Sequence, residues 1–207
     1  ALSRINANFA KNPSEIKTKN WLEKIKLWKN KHPLFTPPKE GEIYPQEVLI
    51  KLRECAPEAF ITTDVGQHQM WAAQYLRNGP RKWISSAGLG TMGFGLPAAM
   101  GVKAAYPNSE VICIAGDASI LMNIQELGTL SQYGLNVKIV IVNNRWQGMV
   151  RQWQESFYDE RYSASDMSCG EPDFIKLAEA FGVKGILIEE RDQLINGIKS
   201  ALDFRGP

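Results

Sequence analysis

Val111-Ile112-Cys113-Ile114-Ala115 runs apolar for five residues and stops at Gly116-Asp117-Ala118-Ser119. Val137-Lys138-Ile139-Val140-Ile141-Val142 repeats the pattern and stops at Asn143-Asn144. Short β-branched runs of this kind read as strands buried on both faces. Between them, residues 124–133 carry helical spacing. Strand, helix and strand in that order require parallel pairing through a right-handed crossover. Working outward, helices are predicted over 45–55, 67–75, 95–105, 174–181 and 193–202, and strands over 60–63, 82–85 and 184–188. The fold class is α/β: a doubly wound, mostly parallel sheet with helices on both faces.

The chain has 207 residues, 24 Lys and Arg against 22 Asp and Glu, and a formal net charge of +2. That balance predicts neither nucleic acid nor an acidic membrane surface as a partner. The lysines between Lys17 and Lys31 alternate with Trp21, Leu22, Ile25 and Trp28, the pattern of a solvated helix face over 14–32. Cys55, Cys113 and Cys169 are odd in number and widely spaced, which suggests neither a disulfide framework nor a zinc site and fits a reducing compartment. No apolar run approaches the roughly 20 residues that span a bilayer. The stretch from His32 to Gly41 holds three prolines and breaks any helix. Residues 1–40 are therefore expected to be the end of a preceding domain and a linker, and 41–207 the main domain. The start at Ala1, without a Met, and the stop at Pro207 both read as cuts through a longer polypeptide.

Open α/β sheets bind ligands outside the carboxyl ends of their strands. Four strand ends here carry glycines and polar side chains: Asp64 to His68, Ser86 to Gly93, Gly116 to Ser119, and Asn143 to Gly148. Asp117 and Asn144 stand 27 positions apart, each just beyond a buried strand. One offers a carboxylate oxygen and the other an amide oxygen, ligands that suit Mg²⁺ shared with a phosphate. Gly116 permits a sharp turn, and the amides of Ala118 and Ser119 would open a helix toward an anion. A lone Gly-Asp after a strand is usually just a turn or an N-cap; the Asn-Asn after the next strand favours a ligand site. Gly88 to Gly93 echoes the dinucleotide fingerprint GxGxxG, but no strand and acidic residue follow to support it.

The spacing from Gly116-Asp117 to Asn144 resembles the metal-diphosphate motif of thiamine-diphosphate enzymes. VGQHQMWAAQ, GLGTMGFGLPAA, NNRWQGMVRQWQ, FYDERYS and PDFIKLAEAFG resemble the large catalytic subunit of the acetohydroxyacid (acetolactate) synthase family over roughly 41–205. Ala118 stands where the wider family has glycine, as is common in that branch. The resemblance implies thiamine diphosphate and Mg²⁺ as cofactors, with FAD in the full-length enzyme. It implies decarboxylation of pyruvate and carboligation to pyruvate or 2-oxobutanoate, in branched-chain amino-acid biosynthesis. Another thiamine-diphosphate decarboxylase, carboligase or oxidase, or a non-catalytic cofactor-binding module, are the alternatives.

By the same resemblance, Asp117, Asn144 and the main-chain oxygen of Trp146 are metal ligands. Gln67, His68, Gly116, Ala118 and Ser119 contact the diphosphate. Gly90 and Met92 hold the aminopyrimidine, and Met149 and Val150 lie near the thiazolium. Val150 and Trp153 shape the substrate pocket, Trp153 narrowing it in favour of 2-oxobutanoate. No catalytic residue is expected within 1–207, because the family's cofactor-activating glutamate belongs to an N-terminal domain. Glu126 is read as structural, and Arg151, Glu155 and Arg161 receive no chemical role. A homodimer or homotetramer, a regulatory small subunit, and a bacterial cytoplasm or plastid stroma complete the expectation.

Overall fold

The computed structural model describes residues 2–11, 18–33, 41–76 and 79–207. The chain divides into two compact units, Ala1–Pro37 and Pro38–Pro207. In the first, α1 (Leu2–Lys11) and α2 (Lys19–Lys31) are helical, and Trp21 meets Trp28 edge-on at 5.5 Å between ring centroids. The predicted helix over 14–32 matches α2 in its later part; residues 14–17, and 34–40 of the expected linker, lie outside the described residues.

The second unit is built on four strands, β1 (Phe60–Thr63), β2 (Trp83–Ser85), β3 (Val111–Gly116) and β4 (Lys138–Val142). Their order is β2-β1-β3-β4 and every pairing is parallel. The central strand β3 is buried along its whole length because both faces are covered. Ile112 and Ile114 point into a cluster with Leu49, Leu52, Ala72, Leu194 and Ile198, contributed by α3 (Pro45–Cys55), α4 (Gln67–Tyr75) and α10 (Leu194–Asp203). Val111, Cys113 and Ala115 point the other way, to Leu96 and Ala99 of α5 (Gly95–Ala105) and to Leu127 and Leu130 of α7 (Glu126–Tyr133). An apolar run without alternation is thus a strand whose two faces both lack water.

Local chemistry sets the helix ends. Pro45 opens α3 at a position where a missing N–H costs nothing. Gly134 closes α7 in the left-handed conformation at φ 61°, its N–H bonding back to Leu130 and Ser131. Asp173 caps α9 (Phe174–Ala180) by accepting from the amides of Ile175 and Lys176.

The predicted strand over 184–188 is not one. Residues 183–189 form no ladder, and the Lys184 N–H donates instead to the Pro207 carbonyl. Ile186 and Ile188 contact Gly197 of α10, so their apolarity reflects helix packing, not sheet pairing. Conversely, α8 (Gly148–Phe157) forms where no element was predicted.

The topology has one consequence for function. The chain leaves β1 for β2 on one side of the sheet and then crosses to β3 on the other. The connection direction reverses between β1 and β3, and such a switch point leaves a crevice above the strand ends.

Candidate cofactor site

At that crevice, the segment Asp64–His68 leaves β1 and the segment Gly116–Ser119 leaves β3. The two segments touch through the His68 ring. A Cβ on Gly66 would stand 2.7 Å from His68 Cε1, and one on Gly116 would stand 2.9 Å from its Nδ1. A Cβ at either place would press on the imidazole, so glycine at both leaves room for the ring between the two strand ends. His68 is 6% exposed, and burial pushes its pKa down to about 4, so the ring is neutral at pH 7. Its Nε2 is buried with no protein partner.

Asp117 opens α6 (Asp117–Ile120) and is 3% exposed. Its Oδ1 accepts the Ala118 N–H at 2.9 Å, while its Oδ2 is buried and unpartnered. Burial raises its pKa, opposed by the amides of Ala118 and Arg145. A cation bound beside the carboxylate would favour its ionised form and so oppose the burial effect. The Ser119 hydroxyl is engaged by its own turn, accepting from Gly116 N at 3.0 Å, so its backbone amide is what it can offer an anion.

The strand register brings the second half of the motif alongside. Gly116 pairs with Val142, so Asp117 and Asn144 leave adjacent strands at the same end of the sheet. Asn144 Oδ1 accepts the Trp146 N–H at 3.0 Å and keeps one lone pair free. Asn144 Nδ2 donates to Gln67 Oε1 at 3.4 Å. Gln67 in turn lies so close to Gly148 that a Cβ there would stand 1.9 Å from Oε1. Gln67, Asn144, Trp146, Gly148, Arg151 and Glu155 line one cavity of about 240 Å³. Among the described residues no three His, Cys, Asp or Glu side chains gather as a metal cluster. Asp117 does not line that cavity, so a cation held by both Asp117 and Asn144 would sit at its edge and would have to draw on amide, carbonyl and phosphate oxygens, the preference of Mg²⁺.

Trp146 is held firmly. It forms an isolated antiparallel bridge with Asp166, and the Arg151 guanidinium stacks 4.2 Å from its ring centroid. Arg151 also pairs with Glu155 at 2.9 Å, so two residues left without a role in the sequence brace a site residue.

The remaining candidates are spread more widely. Gly90 (φ 67°) and half-buried Met92 sit on the loop between β2 and α5. Met149, Val150 and Trp153 lie on α8; Val150 and Trp153 are exposed, and Trp153 packs on Phe157 at 4.8 Å. None of these five lines the cavity beside Asn144. Asp64 was passed over: it is wholly buried, its Oδ1 accepts from Val65 and Gly93, and its Oδ2 is unpartnered. Its position as the first residue after a strand, the same as that of Asp117, was the available signal.

Residues 64–207 match the family model of the thiamine pyrophosphate enzyme, C-terminal TPP binding domain. The chain is 68% identical over 194 residues to an acetolactate synthase large subunit of Parasynechococcus marenigrum, covering 94% of this chain and 31% of that protein. It is 53% identical over 206 residues to the large subunit of Porphyra purpurea, covering 100% of this chain and 35% of that one. It is 48% identical over 187 residues to the isozyme 3 large subunit of Escherichia coli, with 89% and 32% covered. The chain spans about a third of the length of these relatives. The parallel sheet, its switch point and this match have one meaning: the chain belongs to the thiamine pyrophosphate enzyme family and carries its C-terminal TPP-binding domain.

Proposed function

We propose that this chain binds the diphosphate end of thiamine diphosphate through Mg²⁺, within the catalytic subunit of an acetolactate synthase. The observation that carries the reading is the pair of buried, unpartnered atoms, Asp117 Oδ2 and His68 Nε2, flanking the β1/β3 crevice. Buried polar atoms almost always have partners, so two orphans at one ligand-binding position argue for a ligand.

In this reading Asp117, Asn144 and the Trp146 carbonyl hold Mg²⁺. Gln67, His68, Gly116 and the amides of Ala118 and Ser119 hold the diphosphate. Gly90 and Met92 hold the aminopyrimidine, and Met149 and Val150 border the thiazolium. When bound, thiamine diphosphate supplies the electron sink for decarboxylation of pyruvate and carboligation to a second 2-oxo acid. The residues of this chain anchor its tail and shield it from water. Trp153, 59% exposed in this chain, needs a second surface opposite it to form the pocket that favours 2-oxobutanoate. FAD, a second copy, and a regulatory small subunit belong to the full-length assembly, in a bacterial cytoplasm or plastid stroma. Residues 1–40 would close the preceding domain. Among the described residues no helix is long and apolar enough to cross a membrane.

Titrating thiamine diphosphate into the full-length subunit with and without Mg²⁺ tests the site. Asp117→Ala and Asn144→Ala should each weaken Mg²⁺-dependent binding by at least ~100-fold, beyond what loss of an outer-sphere partner typically costs. Binding that survives both substitutions, or that ignores Mg²⁺, refutes the assignment.

A further inference from the structure

The loop between β2 and α5 is exposed from Ala87 to Thr91. Two short bonds to Ser86 stitch it internally, Gly90 N to the Ser86 carbonyl at 2.9 Å and Thr91 N to Ser86 Oγ at 3.1 Å. Its fixed end is buried Gly93, gripped on both sides. Asp64 Oδ1 accepts the Gly93 N–H at 2.7 Å, and Asn123 Nδ2 donates to the Gly93 carbonyl at 2.7 Å. Gly93 adopts φ 85°, and a Cβ there would stand 2.8 Å from Met122 Cβ and 2.9 Å from Asn123 Nδ2. The residue fits its grip only as glycine.

Each gripping residue belongs to a segment that lines the diphosphate crevice. Asp64 is the first residue after β1 and leads directly into Gln67 and His68. Asn123 ends the 3₁₀ turn Leu121–Asn123, which continues α6 from Asp117. The same seam runs on through Thr62 Oγ1, which donates to the Gly95 carbonyl at 2.9 Å. A buried carboxylate is costly where packing alone is needed. Asp64 is wholly buried nonetheless, and what its carboxylate adds is one oxygen that accepts two amides, Val65 at 2.9 Å and Gly93.

We propose that Asp64 and Asn123 are positioning residues, a two-sided clamp on Gly93, one at its N–H and one at its carbonyl, that holds the ring-binding loop in register with the diphosphate site. A cofactor fixed at its tail and at its ring tolerates little change in the distance between the two anchors. The clamp sets that distance without touching the cofactor. The inference rests on the reading of Gly90 and Met92 as the ring-holding residues.

The test uses the full-length subunit with Mg²⁺ and two probes, thiamine diphosphate and inorganic pyrophosphate, each titrated against intrinsic tryptophan fluorescence. Asn123→Ala should weaken thiamine diphosphate about fivefold, the scale of one net hydrogen bond. Asp64→Ala, which strands the buried Gly93 amide and the part-buried Val65 amide, should weaken it at least ~20-fold. Mg²⁺-pyrophosphate affinity should stay within about twofold in both, because the clamp acts on the ring end. Asp64→Asn keeps an accepting oxygen and should restore thiamine diphosphate binding to within about threefold of the wild type. Should Asp64→Ala fail to fold, Asn123→Ala decides the matter. Equal losses for both probes, or unchanged thiamine diphosphate affinity in Asn123→Ala, overturn the clamp alone. A wild-type subunit that binds neither probe overturns the cofactor reading and the clamp with it.

Discussion

His68 and Asp117 share an environment and respond to it in opposite ways. Burial disfavours the charged form of each, so the imidazole loses affinity for its proton and the carboxyl gains it. Near neutral pH the His68 ring is therefore neutral, and burial of Asp117 favours its protonated form, a penalty that a cation bound at its carboxylate would offset. For His68 the sign of the stability effect follows. The folded ring titrates at about 4 and the unfolded one near 6.5, so between these values the unfolded chain binds more protons. Stability without cofactor should fall as pH drops from about 6.5 to about 4 and be flat for this group above that window. His68→Gln should flatten that slope, checked by urea midpoints across pH 4–7; an unchanged slope would show that other groups carry it. The role proposed for His68 was legible only with its neighbours VGQHQMW, because a lone histidine is more often structural. The place of Asp64 just after a strand was visible in the sequence; its complete enclosure was not, because tertiary packing decides the burial of a carboxylate.

The short connections at the strand ends depend on helices starting very close to strands. Gly95, the first residue of α5, makes the tightest approach to backbone: a Cβ would stand 2.7 Å from the Asp64 nitrogen and 3.0 Å from the Thr63 carbonyl carbon. Backbone cannot swing aside as a side chain can, so Gly95→Ala should destabilise the fold by about 1–3 kcal/mol. A urea midpoint shift at constant slope measures it; a change within about 0.5 kcal/mol would show that α5 and β1 are more loosely packed. Elements whose apolar faces meet the sheet were readable from their period: α3, α5 and the four strands fall close to the predicted ranges. One predicted strand failed and one helix was missed for the same reason. Residues 184–188 are apolar because they meet α10, and α8 carries Val150, Trp153 and Phe157 on an exposed face. Apolarity reports burial or a future contact, and it does not say whether the partner is a sheet, a helix or another surface.

At the scale of the whole molecule, the chain offers a grip for a cofactor and, in the reading proposed, no group that activates it. The exposed α8 aromatics fit the same picture of a surface completed elsewhere. The isolated 207-residue chain should therefore form no acetolactate from pyruvate when supplied with thiamine diphosphate and Mg²⁺; sustained turnover in a colorimetric product assay would refute the division of labour. By itself the sequence determined the fold class, the parallel pairing and the residues that end the strands, because those follow from apolar period and local turn chemistry. Only the tertiary structure decided that His68 lies between Gly66 and Gly116, that Arg151 braces Trp146, and that Asp64 and Asn123 meet on Gly93. His68 meets Gly116 across 48 positions, Gly93 meets Asp64 and Asn123 across 29 and 30, and Arg151 lies on an unpredicted helix; strand register and close packing, not local spacing, bring these residues together.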